Sequence, residues 1–192
     1  LSDAKSAGTN FAGSLLIGHE TTGTLNDAEY NTAVGLTALD ALTTGDYNVA
    51  VGYEALTSNT TGNQNIAIGK GALFNNTESN NTAIGYLALN SNTSGTQNTA
   101  IGAKAMYTNT ASYTTAIGYD ALTANTSGTS NTAVGYSALK TNATGGSNTA
   151  IGNNALKMNT GSYNTASGTY ALTDNSTANF NTASGYQSMY EN

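Results

Sequence analysis

The chain has 192 residues, of which only 8% are charged, no cysteine, and a formal net charge of −6 with lysine as its only basic residue type besides one histidine. That balance leaves no basic stripe for a nucleic-acid backbone, and the lack of cysteine excludes disulfides and thiolate metal sites. No apolar run approaches a membrane span, so membrane insertion is not expected.

Residues 1–13 match nothing else in the chain and are expected to form an N-terminal cap or a partial coil. From Ser14 to Asn192 one unit recurs, N-T-A-[IV]-G-x-x-A-L-x-x-N-T-x-x-x-x. Its copies begin at Ser14, Asn31, Asn48, Asn65, Asn81, Asn98, Thr114, Asn131, Asn148, Asn164 and Asn181, a spacing of 16 or 17 residues. A short fixed period points to stacked coils rather than one closed core. Disorder is rejected because the apolar residues keep register. The first copy is atypical, with Thr21-Thr22 where Ala-Leu belongs, as an end coil should be. The chain starts at Leu1 without a start Met or signal peptide and stops in the twelfth slot of an unfinished copy, so a piece of a longer chain is expected.

Counting slots from the leading Asn, the fifth is always Gly, including Gly35, Gly52, Gly69, Gly85, Gly102, Gly118, Gly135 and Gly152. The third is Ala in all copies but the first. The fourth is Ile or Val, as at Ile84, Ile101, Ile117 and Ile151, until Ser167 and Ser184 replace it. The ninth is Leu or Met, as at Leu89, Leu122, Leu139 and Leu156. The run from Gly to the second Asn-Thr is too short and too rich in breakers for a helix. N-T-A-I-G-Y reads as a strand, in which adjacent Ala and Ile point to opposite faces, so both faces are expected to be at least partly buried. Two Ala and one Leu make a thin coil core. One face is therefore expected to fill the coil and the other to pack on partner chains, a three-fold bundle being the natural closed arrangement. The fold expected is an all-β parallel solenoid, a β-roll or β-helix of about eleven 16–17-residue coils, intertwined or side by side as a homotrimer and, at a ladder spacing of about 4.8 Å, roughly 50 Å long.

Long copies carry Gly near their end, at Gly45, Gly62, Gly95, Gly128 and Gly145, where the 16-residue copies have Ser79, Ser112 and Ser162. This predicts two turn types, with the Gly serving a positive φ. Asn in the first and twelfth slots suits axial amide ladders and left-handed corners. Loss of the apolar fourth slot at Ser167 and Ser184 suggests a core that admits water or a coil that changes shape.

No constellation carries catalysis, and no cofactor or metal is implied. His19 stands alone beside Glu20. Asp27, Glu29, Asp40, Asp46, Glu54, Glu78 and Asp120 occupy scattered slots and build no carboxylate pair. Sequons such as Asn59-Thr60-Thr61 and Asn92-Thr93-Ser94 are by-products of the corners. Two ladders could touch something. Tyr fills the sixth slot at Tyr53, Tyr86, Tyr119, Tyr136 and Tyr186, and precedes the next copy at Tyr30, Tyr47, Tyr113 and Tyr163; such rows either pack or stack on sugar rings. Thr fills the second slot in eight copies, which is an ordinary solvent-facing strand position or an ice-binding array.

The unit Asn81-Thr-Ala-Ile-Gly-Tyr-Leu-Ala-Leu-Asn-Ser-Asn-Thr-Ser-Gly resembles repeats of phage tail-fibre proteins and related bacterial surface fibres, and its A-I-G-x-x-A core is similar to the head repeats of trimeric autotransporter adhesins. The block opening at Ser14-Leu-Leu-Ile-Gly-His-Glu-Thr-Thr-Gly-Thr-Leu-Asn is similar to the start of such tail-fibre blocks. The resemblance covers residues 14–192. It implies a homotrimeric, left-handed parallel β-roll or β-helix, a shaft or adhesive head on a virion or cell surface, positioning or providing attachment to a glycan or protein receptor. Many such fibres carry a C-terminal trimerisation chaperone that is cleaved off. Adhesin heads have a period of about 14 residues, so these longer coils should have a larger corner. The expected function is a structural or adhesive extracellular fibre segment, with an ice-binding solenoid on Thr and Asn ladders as the alternative.

Overall fold

A computed structural model describes residues 4–6, 13–18 and 27–191 of the chain. Its strands are β1 (Ala4–Ser6), β2 (Leu15–Ile17), β3 (Thr32–Val34), β4 (Val49–Val51), β5 (Ile66–Ile68), β6 (Thr82–Ile84), β7 (Thr99–Ile101), β8 (Thr115–Ile117), β9 (Thr132–Val134), β10 (Thr149–Ile151), β11 (Thr165–Ser167) and β12 (Thr182–Ser184). β2 to β12 stack in sequence order as one parallel sheet, each residue opposite its equivalent one coil away. The fold is a parallel β-solenoid of about ten turns, without helix among the described residues. β1 pairs antiparallel with β2 at the N-terminal edge.

Strand parity settles the cross-section. In every strand from β2 to β12 the middle residue, Leu16 in β2 and Ala in the rest, is buried, and its two neighbours are partly or more fully exposed. From Asn31 to Asn175 the coil interior is filled by the third-slot Ala, the eighth-slot Ala, the ninth-slot Leu or Met and the two Asn, all essentially inaccessible, while in the last coil Met189 is exposed. Apolar and amide columns therefore run side by side through one core. Fourth-slot residues face outward, so Ser167 and Ser184 alter the outer surface only: Ala166 and Ala183 stay buried beneath them and the register of β11 and β12 continues unbroken. Neither a wet core nor a changed coil results.

A buried amide must find partners, and the stacking supplies them. Asn31 Oδ1 accepts the backbone N–H of Asn48 at 2.9 Å, Asn48 Oδ1 that of Asn65 at 3.0 Å, and Asn65 Oδ1 that of Asn81 at 3.0 Å. The column begins on Ser14, whose hydroxyl oxygen accepts from Asn31 N–H at 2.7 Å. Twelfth-slot amides close the corner instead. In a long coil the Asn59 amide donates to the Gly62 carbonyl at 2.9 Å and accepts from its N–H at 3.1 Å. In the 16-residue coils Asn76 and Asn109 reach only two residues on, to the carbonyls of Glu78 and Ala111 at 2.7 and 2.9 Å. Two turn types exist as expected, for a different reason.

The corner glycines do not take a left-handed φ. Gly45 is needed because a Cβ there would lie 2.5 Å from the carbonyl oxygen of Gly62 in the next coil. Nor are the ladder Asn left-handed. The left-handed residues are the one before each copy, such as Tyr47 (φ 59), the seventh, such as Glu54 (φ 59), and the ninth, such as Leu56 (φ 53). Coil closure forces these bends, and inter-coil hydrogen bonds hold them: Glu54 N–H donates to the Leu36 carbonyl at 3.1 Å and Leu56 N–H to that of Ala72 at 2.9 Å.

Candidate functional site

No pocket is present among the described residues, so any recognition by them falls to surfaces. The broadest is the outer face of β2–β12. Gly in the fifth slot makes it possible: Gly85 has φ 135°, and a Cβ there would lie 2.6 Å from the Gly102 carbonyl oxygen. Only glycine lets the chain leave the strand at this angle with coils so close. Ile84, Ile101, Ile117 and Ile151 project outward in a column, with Ile117 and Ile151 38% and 47% exposed. Leu89, Leu122, Leu139 and Leu156 are wholly buried and belong to the core.

Beside the Ile and Val column runs the second-slot Thr column. Its hydroxyls make no hydrogen bond among the described residues. Thirteenth-slot Thr behave differently: Thr43 donates to the Thr60 carbonyl at 2.9 Å and Thr126 to that of Ala143 at 2.9 Å. Most hydroxyls of the thirteenth-slot ladder are thus used within the molecule, whereas those of the second-slot ladder are free for solvent or a partner. The second and fourth slots carry no charge in any copy. This face is an uncharged strip of methyl groups and unpartnered hydroxyls at ladder spacing.

Sixth-slot Tyr53, Tyr86, Tyr119, Tyr136 and Tyr186 flank the strip as exposed side chains. Tyr119 and Tyr136 stack with ring centroids 5.6 Å apart, and Lys70 lies over the Tyr53 ring at 5.5 Å. The column preceding each copy holds the stacks Tyr30–Tyr47 and Tyr163–Phe180, both at 5.0 Å. The neighbouring Glu54 carboxylate raises the pKa of the Tyr53 phenol.

One charged pair was not legible in the repeat. Lys140 Nζ donates to Asp120 Oδ2 at 2.8 Å, joining residues 20 apart that only stacking brings together. That hydrogen bond raises the Lys140 pKa, burial opposing it. Asp120 Oδ1 is buried without a partner. No group of three metal-ligating side chains occurs among the described residues, and His19 and Glu20 lie outside them. Asn59 and Asn92 of the sequons are buried, with their amides donating to the Gly62 and Gly95 carbonyls.

No protein-family model, curated protein or solved structure matches the chain. The functional reading rests on the geometry of the rod and its outer face.

Proposed function

We propose that this chain is a structural segment of an extracellular fibre, of the phage tail-fibre or bacterial surface-fibre kind, which associates with further copies of itself through the outer sheet face. One observation carries the reading: the fourth-slot Ile and Val column stays partly exposed through β10, although its residue type would be better buried. A partner of the same coil repeat would meet that column knob for knob along its length, and identical chains have that repeat. A homotrimer closes such an interface around an axis, and a stiff rod of this kind holds a receptor-binding tip away from its base or presents a surface to a glycan or protein receptor.

Light scattering coupled to size exclusion tests this. Three times the 19.4 kDa chain mass is expected, and a stable monomer at micromolar concentration sinks the reading. Ile84→Glu with Ile117→Glu should give folded monomer, because these side chains lie outside the coil core. Ice binding is the second reading, favoured by the unpartnered second-slot hydroxyls. Thermal hysteresis from a monomeric preparation, lost on Thr99→Val with Thr132→Val, would put it first.

A further inference from the structure

Among the described residues three stacked aromatic pairs join successive coils, and they are not chemically equivalent. Tyr30–Tyr47 and Tyr119–Tyr136 pair two phenols, with interplanar angles of 11° and 8°, whereas Tyr163–Phe180 pairs a phenol with a plain ring. All six rings are about half exposed or more. Each pair straddles one coil step, so the parallel ladders of β3–β4 and β8–β9 hold its backbones at a fixed separation. The ring centroids, 5.0 and 5.6 Å apart, are little farther than in a directly joined biaryl. Exposed rings turn about χ1 and χ2 fast enough to bring ortho carbons into contact.

We propose that Tyr30–Tyr47 and Tyr119–Tyr136 are sites of oxidative coupling, at which a one-electron oxidant converts each stacked pair into a dityrosine staple between adjacent coils. Each phenol gives up one electron and one proton to form a phenoxyl radical. The two radicals join through one ortho carbon each, and the hydrogens on those carbons move to the oxygens as the rings regain aromaticity. The balance is loss of two electrons and two protons per staple, taken up by two equivalents of the oxidant. Held proximity makes the coupling effectively unimolecular. Each bond closes a loop of one coil and so opposes peeling of neighbouring coils, as other cross-links do.

Light-activated ruthenium tris-bipyridyl with persulfate, which is reduced to sulfate, tests this on the full chain, with linked peptides read by mass spectrometry after digestion. Expected are two intrachain links, Tyr30 to Tyr47 and Tyr119 to Tyr136, each lighter by two hydrogens and with a yield unchanged on dilution. Tyr47→Phe and Tyr136→Phe each lose their own link while keeping the native circular dichroism, since the ring remains. Phe180→Tyr gains a third link, to Tyr163. Coupling that appears first at the unstacked Tyr53, Tyr86 or Tyr107 overturns the proposal. So does equal yield at Tyr170 and Tyr186, whose rings meet edge-on at 6.4 Å, or a yield that falls in proportion to dilution because the links form between chains.

Discussion

Gly85 and Leu89 sit in one coil and illustrate opposite relations between residue and backbone. Gly85 is left in its slot by exclusion: Gly85→Ala puts a Cβ against the Gly102 carbonyl in a conformation that L residues avoid. Strain alone should remove about 1–3 kcal/mol, and the contact adds to it, so the urea midpoint should fall by more than for Gly146→Ala, where the nearest atom would be at 3.1 Å and φ is not left-handed. An equal effect at both sites would show that close coil approach is not what selects glycine. Leu89 holds φ 49° although a branched residue there is strained, because its side chain fills the coil. The fifth-slot Gly was legible in the sequence since no other residue appears there. The bend at Leu89 was not, because no local preference of Leu signals it and only closure of the coil imposes it. Gly45 was misread for the same reason: a glycine required by an approaching carbonyl looks, in sequence, like one required by φ.

At the scale of the coil, stability rests on ladders that only stacking completes. Asn148 is the cleanest case. Its Oδ1 accepts the N–H of Asn164 at 2.9 Å and its amide donates to the Gly161 carbonyl at 2.9 Å. Asn148→Ala orphans both in a buried site, at about 1–3 kcal/mol for each group, so it should destabilise more than Thr149→Ala on the outer face. Equal losses by urea denaturation would refute the ladder's role. The Asp120–Lys140 pair behaves differently because the Lys140 side chain is 37% exposed and that of Asp120 only 12%. Lys140→Met strands a carboxylate that burial disfavours, so it should destabilise more than the double change with Asp120→Asn. The pair also fixes a pH response. A lysine pKa raised by folding contributes stability that is complete below its unfolded value and disappears as pH climbs through the folded one. Wild type should therefore lose stability in the alkaline range above the ordinary lysine value, and Lys140→Met should lose less there. The Tyr53 phenol, raised by Glu54, titrates with the same sign, so Tyr53→Phe is the control that separates the two. None of this was readable in sequence, since Asp120 and Lys140 belong to different slots of different copies, whereas the Asn columns were, because the same slot recurs at coil spacing.

For the whole molecule, the decisive property is that coils touch only their neighbours. Stability is then close to a sum of coil terms and coil–coil interfaces, and the fold has no central core whose loss is fatal. Removing residues 81–97 joins Asn80 to Asn98 and deletes one 17-residue coil. The flanking ladders can re-form at once, since Asn65 Oδ1 would meet Asn98 N–H in place of Asn81 N–H and β5 would pair with β7 as it does with β6. The shortened chain should keep the circular dichroism of the parent, shorten by one ladder step of about 4.8 Å in solution scattering, and show a slightly lower urea midpoint. Removing residues 81–88 instead leaves a half coil that brings the Leu89 stretch where the next strand belongs, and should abolish cooperative unfolding. A globular core would give the reverse expectation, because a 17-residue excision would remove more of it than an eight-residue one. Survival of the longer deletion and failure of the shorter is therefore a test of the solenoid as the unit of design, made without reference to what the rod carries or touches.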